Sequence, residues 1–342
     1  MSQYAKPSFC VVDISGYSFT GKSAFFDLLC EFDGFFHHSK EFEFDLLRVR
    51  GGILDLKFAL VDSWSPIRSS EAIMAFYHLI TTIGGNKSTY SRLFRSGAHY
   101  DHYFPGFTEI SLKFIDSLVC AKWNCEWPYP LYGKSKWHIC FTKAMQKIGC
   151  MRENQFFLSR MTAEEFYVRT RLYFNELFRG LEKKSYSKIL LSNAFEPFAP
   201  LQSVALFDHA KSIIVDRDPR DIYLSALMAG RIAGSKVGQA VTGGGVQTFI
   251  DRFRIYRSKM DDQNPNIYRT NFESLVLNYD EELLRIRHFL GTENLTHSQK
   301  GAYFSPNESA KNIGQWKMHK CKNYFSDVEL IKSELLEFCI EI

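Results

Sequence analysis

Residues 16–23 read Gly-Tyr-Ser-Phe-Thr-Gly-Lys-Ser and satisfy every defined position of the pattern G-x-x-x-x-G-K-[ST]. The pattern constrains the fold because it works only between a strand and a helix. Its glycines let successive backbone N–H groups turn toward one anion, and the helix that follows presents its positive N-terminal end. Both neighbours are present: an apolar run, Phe9-Cys-Val-Val-Asp-Ile, precedes the loop, and an apolar helical pattern from Ser23 to Phe32 follows it. The segment therefore predicts the opening of an α/β unit, with a phosphate held by Gly16, Ser18, Thr20, Gly21, Lys22 and Ser23. Lys22 supplies a point charge, and Ser23 a hydroxyl for phosphate or magnesium.

The same architecture recurs about two hundred residues later. Lys211-Ser-Ile-Ile-Val-Asp reads as a buried strand, Arg217-Asp-Pro-Arg-Asp as a turn, and the stretch carrying Ile222, Leu224, Ala226 and Leu227 as a helix. Arg217 at the strand end and Ser225 eight residues on can reach one dianionic phosphate if the proline turn folds the chain back. Equally, the stretch can form surface ion pairs with Asp218 or Asp221 as the helix cap. Asp216 is placed where a triphosphate-binding protein holds magnesium. A third strand, Asn266 to Asn271, precedes a helix from about Tyr279 to Leu290 that ends at Gly291. The intervening stretch is rich in helical pattern and aromatics, as in Glu164 to Leu181, and suits the wall of a substrate cleft. Val237 to Gly245 predicts a flexible loop. The expected organisation is a single α/β domain over 1–342, three-layered around a central parallel sheet, with a helical and aromatic insertion at about 60–185.

Composition removes several functions. A chain of 342 residues with 45% hydrophobic side chains can bury a large core, so disorder is excluded. Lys and Arg number 42 against 38 Asp and Glu, a net charge of +4, which gives no bulk attraction for nucleic acid. The eight cysteines include no Cys-x-x-Cys, so they form neither a zinc ribbon nor a disulfide framework and read as reduced thiols. No apolar stretch approaches the roughly 18 residues of a spanning helix. The expectation is a cytoplasmic protein without an integral membrane segment, although a peripheral membrane contact escapes this test.

Arg217-Asp-Pro-Arg220-Asp221 followed by Ser225 resembles the 3′-phosphate-binding segment of sulfotransferases that use 3′-phosphoadenosine-5′-phosphosulfate (PAPS). The resemblance extends to the strand, loop and helix of Phe9 to Phe32, to Ile267-Tyr-Arg-Thr-Asn-Phe-Glu-Ser-Leu with His288-Phe-Leu-Gly291, and to Lys311-Asn-Ile-Gly314-Gln-Trp316-Lys317. These four ordered segments run from residue 9 to about 320 and cover the middle third loosely. Glu43-Phe-Asp-Leu-Leu-Arg-Val-Arg-Gly-Gly looks most like bacterial polysaccharide sulfotransferases, which have the P-loop fold.

The resemblance implies PAPS as sulfuryl donor without a metal. It implies that residues 16–23 hold the 5′-phosphosulfate and that Arg217 and Ser225 grip the 3′-phosphate. Lys311, Gly314, Trp316 and Lys317 would cover the nucleotide, and Glu43 would take the acceptor's proton, with Glu41 the second choice and His37 and His38 weaker ones. One departure stands out: typical members carry their loop cation at about the position of Phe19, whereas this chain carries Lys22. That placement suits a triphosphate and keeps an ATP-dependent kinase of a small molecule or sugar as the alternative. A third reading is a non-catalytic nucleotide switch. The expected acceptor is a carbohydrate or other small hydroxyl compound. Trp123, Trp127, Tyr129, Tyr132 and Trp137 suit stacking on sugar rings or packing among themselves, and Lys122, Lys134 and Lys136 suit an acidic glycan or plain solvation.

Overall fold

The structure, a computed structural model, describes residues 9–39, 42–85, 99–125, 129–131, 134–148, 154–181, 186–232, 238–258 and 264–341. Its strands are β1 (Cys10–Ser15), β2 (Phe35–His37), β3 (Ala121–Cys125), β4 (Asn154–Leu158), β5 (Lys188–Ser192), β6 (Ala210–Asp216) and β7 (Ile267–Asn271). The principal helices are α1 (Lys22–Cys30), α2 (Pro66–Gly84), α3 (Phe107–Leu118), α4 (Lys136–Lys147) and α5 (Ala163–Arg179). They continue with α6 (Pro219–Ile232), α7 (Val246–Arg257), α8 (Phe272–Leu277), α9 (Tyr279–Leu290) and α10 (Phe325–Glu334). The chain divides into two compact units: Met1–Phe44 with Ser185–Ile342, and Asp45–Lys184.

The first unit is an α/β fold around a five-stranded parallel sheet in the order β2-β5-β1-β6-β7. Parallel strands covered on both faces read as continuous apolar runs rather than alternating ones, and Ile213, Ile214 and Val215 of β6 are all buried. Strand β1 lies at the centre, with Val12 opposite Leu190 of β5 and Ile14 opposite Ile213 of β6. Phe25, Phe26, Leu28 and Leu29 of α1 share one core with Val12 and Ile14, together with Phe272 and Leu275 of α8 and Ile286 and Leu290 of α9. Helix α9 keeps its expected bounds, and Gly291 ends it in the left-handed region at φ 63°. A second core joins Ile222 and Ala226 of α6 to Phe249 and Ile250 of α7 and Ile331 of α10.

A carboxylate sits inside this apolar sheet. The carboxylate of Asp13, fully buried in β1, accepts hydrogen bonds from Ser15 Oγ (2.5 Å), Ser212 Oγ of β6 (3.0 Å) and the amides of Ala194 (2.8 Å) and Phe195 (3.3 Å). Burial nevertheless pushes its pKa up to about 6. Asp13 thereby ties the ends of three strands together where the loops emerge.

The second unit is mainly helical. Phe114 of α3 stacks on Tyr173 of α5 with ring centroids 4.5 Å apart, and the Tyr173 hydroxyl meets Ser111 Oγ at 2.8 Å, so the buried phenol keeps a partner. Thr162 and Glu165 close a reciprocal capping box at the start of α5. Strands β3 and β4 pair as an antiparallel hairpin.

One local reading differs from the sequence expectation. The glycine-rich run expected as a loop contains a helical turn, Gln239–Thr242, ended by Gly243 at φ 59°; Val237 itself lies outside the described residues. Glu43 lies on irregular backbone, and Glu41 lies outside the described residues. Trp127 and Tyr132 also lie outside them. No helix among the described residues is long and apolar enough to cross a membrane.

Candidate active site

The loop between β1 and α1 owes its shape to two glycines. A Cβ on Gly16 would stand 2.5 Å from Thr20 Oγ1 and 2.7 Å from the carbonyl of Val215, so only glycine lets the loop lie against β6. Gly21 adopts φ 86°, and a Cβ there would strike the Phe272 ring at 2.5 Å. The turn is closed by Thr20, whose amide and hydroxyl both donate to the Tyr17 carbonyl. Phe19 is held left-handed at φ 67° without being glycine. No side chain caps α1 and no acid occupies its first turn, so the positive end of the helix is left for an anion. Ser18 and Ser23 are exposed on this loop.

Lys22 turns toward the end of β5. Its Nζ donates to Glu43 Oε1 at 2.5 Å and lies 3.5 Å from Ser192 Oγ. Asn193, in the left-handed region at φ 55°, donates from Nδ2 to the same Glu43 oxygen at 3.0 Å. This corner is partly open: the Lys22 side chain is 21% exposed and that of Glu43 38%. The sequence-predicted pair Lys22 and Glu43 is thus brought into contact. Ser192 and Asn193 carry no motif and stand about 170 residues away along the chain; only parallel pairing of β1 with β5 delivers them.

Arg217 leaves the end of β6 on the other side of the loop. Its guanidinium donates to the Phe19 carbonyl (2.9 Å), to Ser225 Oγ (3.2 Å) and to the Asn312 carbonyl. Arg217 is buried, 7% exposed, and its Nε has no partner among the described residues. Burial presses the guanidinium pKa down, opposed by Asp221, Glu273 and Asp218. Ser225 also receives Gln315 Nε2 at 3.0 Å. Asp221 fixes the segment that brings Gln315 here, accepting from the amides of Gly314 (2.7 Å) and Gln315 (2.8 Å). Gly314 adopts φ 68°, as this approach requires.

Asp218 is the cap of α6, accepting from the Arg220 amide at 2.8 Å, and it also holds the Arg220 side chain in a two-pronged buried ion pair. Trp316 lies under that guanidinium, 4.0 Å from its ring centroid, and Lys317 Nζ stands 5.0 Å from the same ring. The Lys311 ammonium pairs with exposed Glu308 at 2.6 Å. Asp216 is engaged by Arg257 and, at 3.1 Å, by Arg269. Among the described residues no cluster of His, Cys, Asp or Glu is arranged to hold a metal.

Between the start of α1 and residues 301–312 lies a cleft of about 380 Å³, lined by Ser23, Asp27, Arg217, Phe272, Tyr303 and Asn312 among others. Roughly 300–1,000 Å³ is the range of small-molecule sites. Phe272 was not singled out by motif; its ring, 5.2 Å from the Arg217 guanidinium, offers a flat apolar surface beside the phosphate loop.

No protein-family model matches the sequence, and no curated protein matches it. Among solved structures, retinol dehydratase in complex with androsterone and inactive cofactor PAP is similar over 99% of this chain and 83% of its own, at 11% identity and TM-score 0.37. Sulfotransferase STF9 from Mycobacterium avium is similar over 99% and 79%, at 13% identity and TM-score 0.39. The sulfotransferase domain of the Synechococcus PCC 7002 olefin synthase is similar over 96% of each chain, at 12% identity and TM-score 0.35.

Proposed function

We propose that this chain is a PAPS-dependent sulfotransferase that moves a sulfuryl group to a hydroxyl of a carbohydrate or other small acceptor. The observation that carries this reading is the buried Arg217, tied to the phosphate loop through Phe19 and to Ser225 of α6. A loop of the Gly16–Ser23 type serves any nucleotide phosphate. A second guanidinium grip beside it serves a nucleotide with a further phosphate on its ribose.

The residues present fit such a nucleotide: the uncapped start of α1, the unpartnered Nε of Arg217 and the cleft past Ser23 and Phe272 supply anion donors and a flat apolar surface. PAPS supplies the activated sulfuryl group. On the protein side, Lys22 and Ser23 stabilise charge on the departing phosphate, and Glu43 takes the acceptor's hydroxyl proton. The contact between Lys22 and Glu43 has a use here. An arriving phosphate competes for the ammonium and loosens its hold on the carboxylate, which then accepts a proton. Asn193 then holds Glu43 in place. A carbohydrate acceptor and a cytoplasmic site are proposed on the sequence resemblance.

The position of Lys22 within Gly-Lys-Ser favours the kinase reading as the second one, but Asp216, its expected magnesium holder, is occupied by two arginines. A thermal-shift panel decides between them. Stabilisation by 3′,5′-ADP without divalent metal, about 2.7 kcal/mol at a hundredfold excess over Kd, is expected. Stabilisation only by ATP with magnesium would replace sulfuryl transfer with phosphoryl transfer.

A further inference from the structure

Helix α4 carries an exposed apolar face. Trp137 is 87% exposed, Phe141 59% and Ile148, just past the helix end, 68%. At roughly 100° per residue these three and Ala144 fall within about 60° of one another on the helix surface. The opposite side faces the unit, where Thr142 is buried and Ile139 half-buried. Lys136, Lys143 and Lys147 lie together on one flank of the stripe, roughly 80–120° from Trp137.

Charge states the partner's chemistry. From Trp127 to Arg152 the sequence contains no Asp or Glu, while it carries Lys134, Lys136, Lys143, Lys147 and Arg152. Leu284, 67% exposed, lacks this setting: it shares α9 with Asp280, Glu281 and Glu282. An aromatic-tipped stripe bordered by lysines on a helix too short to span a bilayer is the pattern of a helix lying in a membrane interface. We infer that α4 docks on an anionic lipid surface, with Trp137, Phe141 and Ile148 entering the headgroup boundary and the lysines facing lipid phosphates. The inference does not depend on the proposed reaction.

The test is flotation of the full chain with vesicles of phosphatidylcholine, with and without an equal part of phosphatidylglycerol. The wild type is expected to float with the anionic vesicles only, and less as salt is raised. Trp137→Ser with Phe141→Ser is expected to lower partitioning about 100-fold, and Lys136→Glu with Lys143→Glu and Lys147→Glu by a similar factor. Leu284→Ser should leave it unchanged. Trp137 emission, taken as wild type minus Trp137→Phe, should shift to the blue on binding. Failure of the wild type to float, or undiminished flotation of the serine pair, overturns the inference. So does self-association abolished by the serine pair without lipid binding, which would make the occupant a second copy of the chain.

Discussion

On one side of the phosphate loop, Lys22 meets Glu43, Ser192 and Asn193 in a corner that solvent reaches. On the other, Arg217 is buried among Phe19, Ser225 and Asn312, with Asp221 and Gln315 fastening the segment behind it. The first side has a lysine whose partner can be exchanged. The second has nearly every donor committed and is organised before a ligand arrives. This difference suits a division of labour: a group that gives or takes a proton must change partners, whereas a grip on a spectator phosphate gains from being rigid.

The comparison breaks most visibly through kinetics. Glu43→Gln is expected to lower kcat for sulfuryl transfer by about 10²–10⁴-fold while 3′,5′-ADP affinity stays within about twofold, measured by radiolabel transfer and calorimetry. Retained activity would move the proton acceptor to Glu41 or a histidine. The converse substitution, Arg217→Lys, keeps the charge and loses the fork. It should weaken 3′,5′-ADP by about 10–100-fold and leave 5′-ADP nearly untouched. Equal weakening of both would mean that Arg217 supports the loop and not a ribose phosphate.

Asp221→Asn sharpens the contrast from behind the grip. It removes the charge that receives two buried amides, and chemical denaturation should show a loss of about 1–2 kcal/mol, with 3′,5′-ADP binding weakened less than in Arg217→Lys.

The smallest effect concerns pH. Glu273, which accepts from the Asp218 amide, has its pKa pushed by burial up to about 7, and Asp13 has its own pushed up to about 6. Each binds its proton more tightly folded than unfolded. The stability each contributes is therefore complete below the unfolded values near 4 and declines as pH rises toward 6–7. Glu273→Gln should flatten that decline by about 1 kcal/mol in thermal melts between pH 4.5 and 7.5. An unchanged slope would show that Glu273 is ionised in the folded chain.

What sequence reading could see follows from what is local. Strand, loop and helix over residues 9–32 are contiguous, so their periodicity and glycines announced them; the same holds for β6, the turn at Arg217, and α9 with Gly291. The pairing of Arg217 with Ser225 was legible because two helical turns and a proline set its reach. Ser192, Asn193 and Asp13 were not legible as partners. Their meeting with Lys22 and with the loop ends depends on β1 lying between β5 and β6, an order that nothing in a single sequence encodes. Phe272 and Gln315 lie inside segments quoted for the resemblance, but their own place at the site shows only once β7 and the segment after residue 301 stand beside the cleft. Lys311 was read as a nucleotide contact from motif position, yet its ammonium lies on Glu308 three residues away, a choice made by local reach across one turn.

Calorimetric titration of the wild type and Arg217→Lys with 3′,5′-ADP and 5′-ADP, in buffer free of divalent metal, tests the central claim most directly. The account predicts that the wild type prefers 3′,5′-ADP by at least about tenfold and that the variant loses that preference. Equal affinity of the wild type for the two nucleotides, or binding that appears only with magnesium, would contradict it.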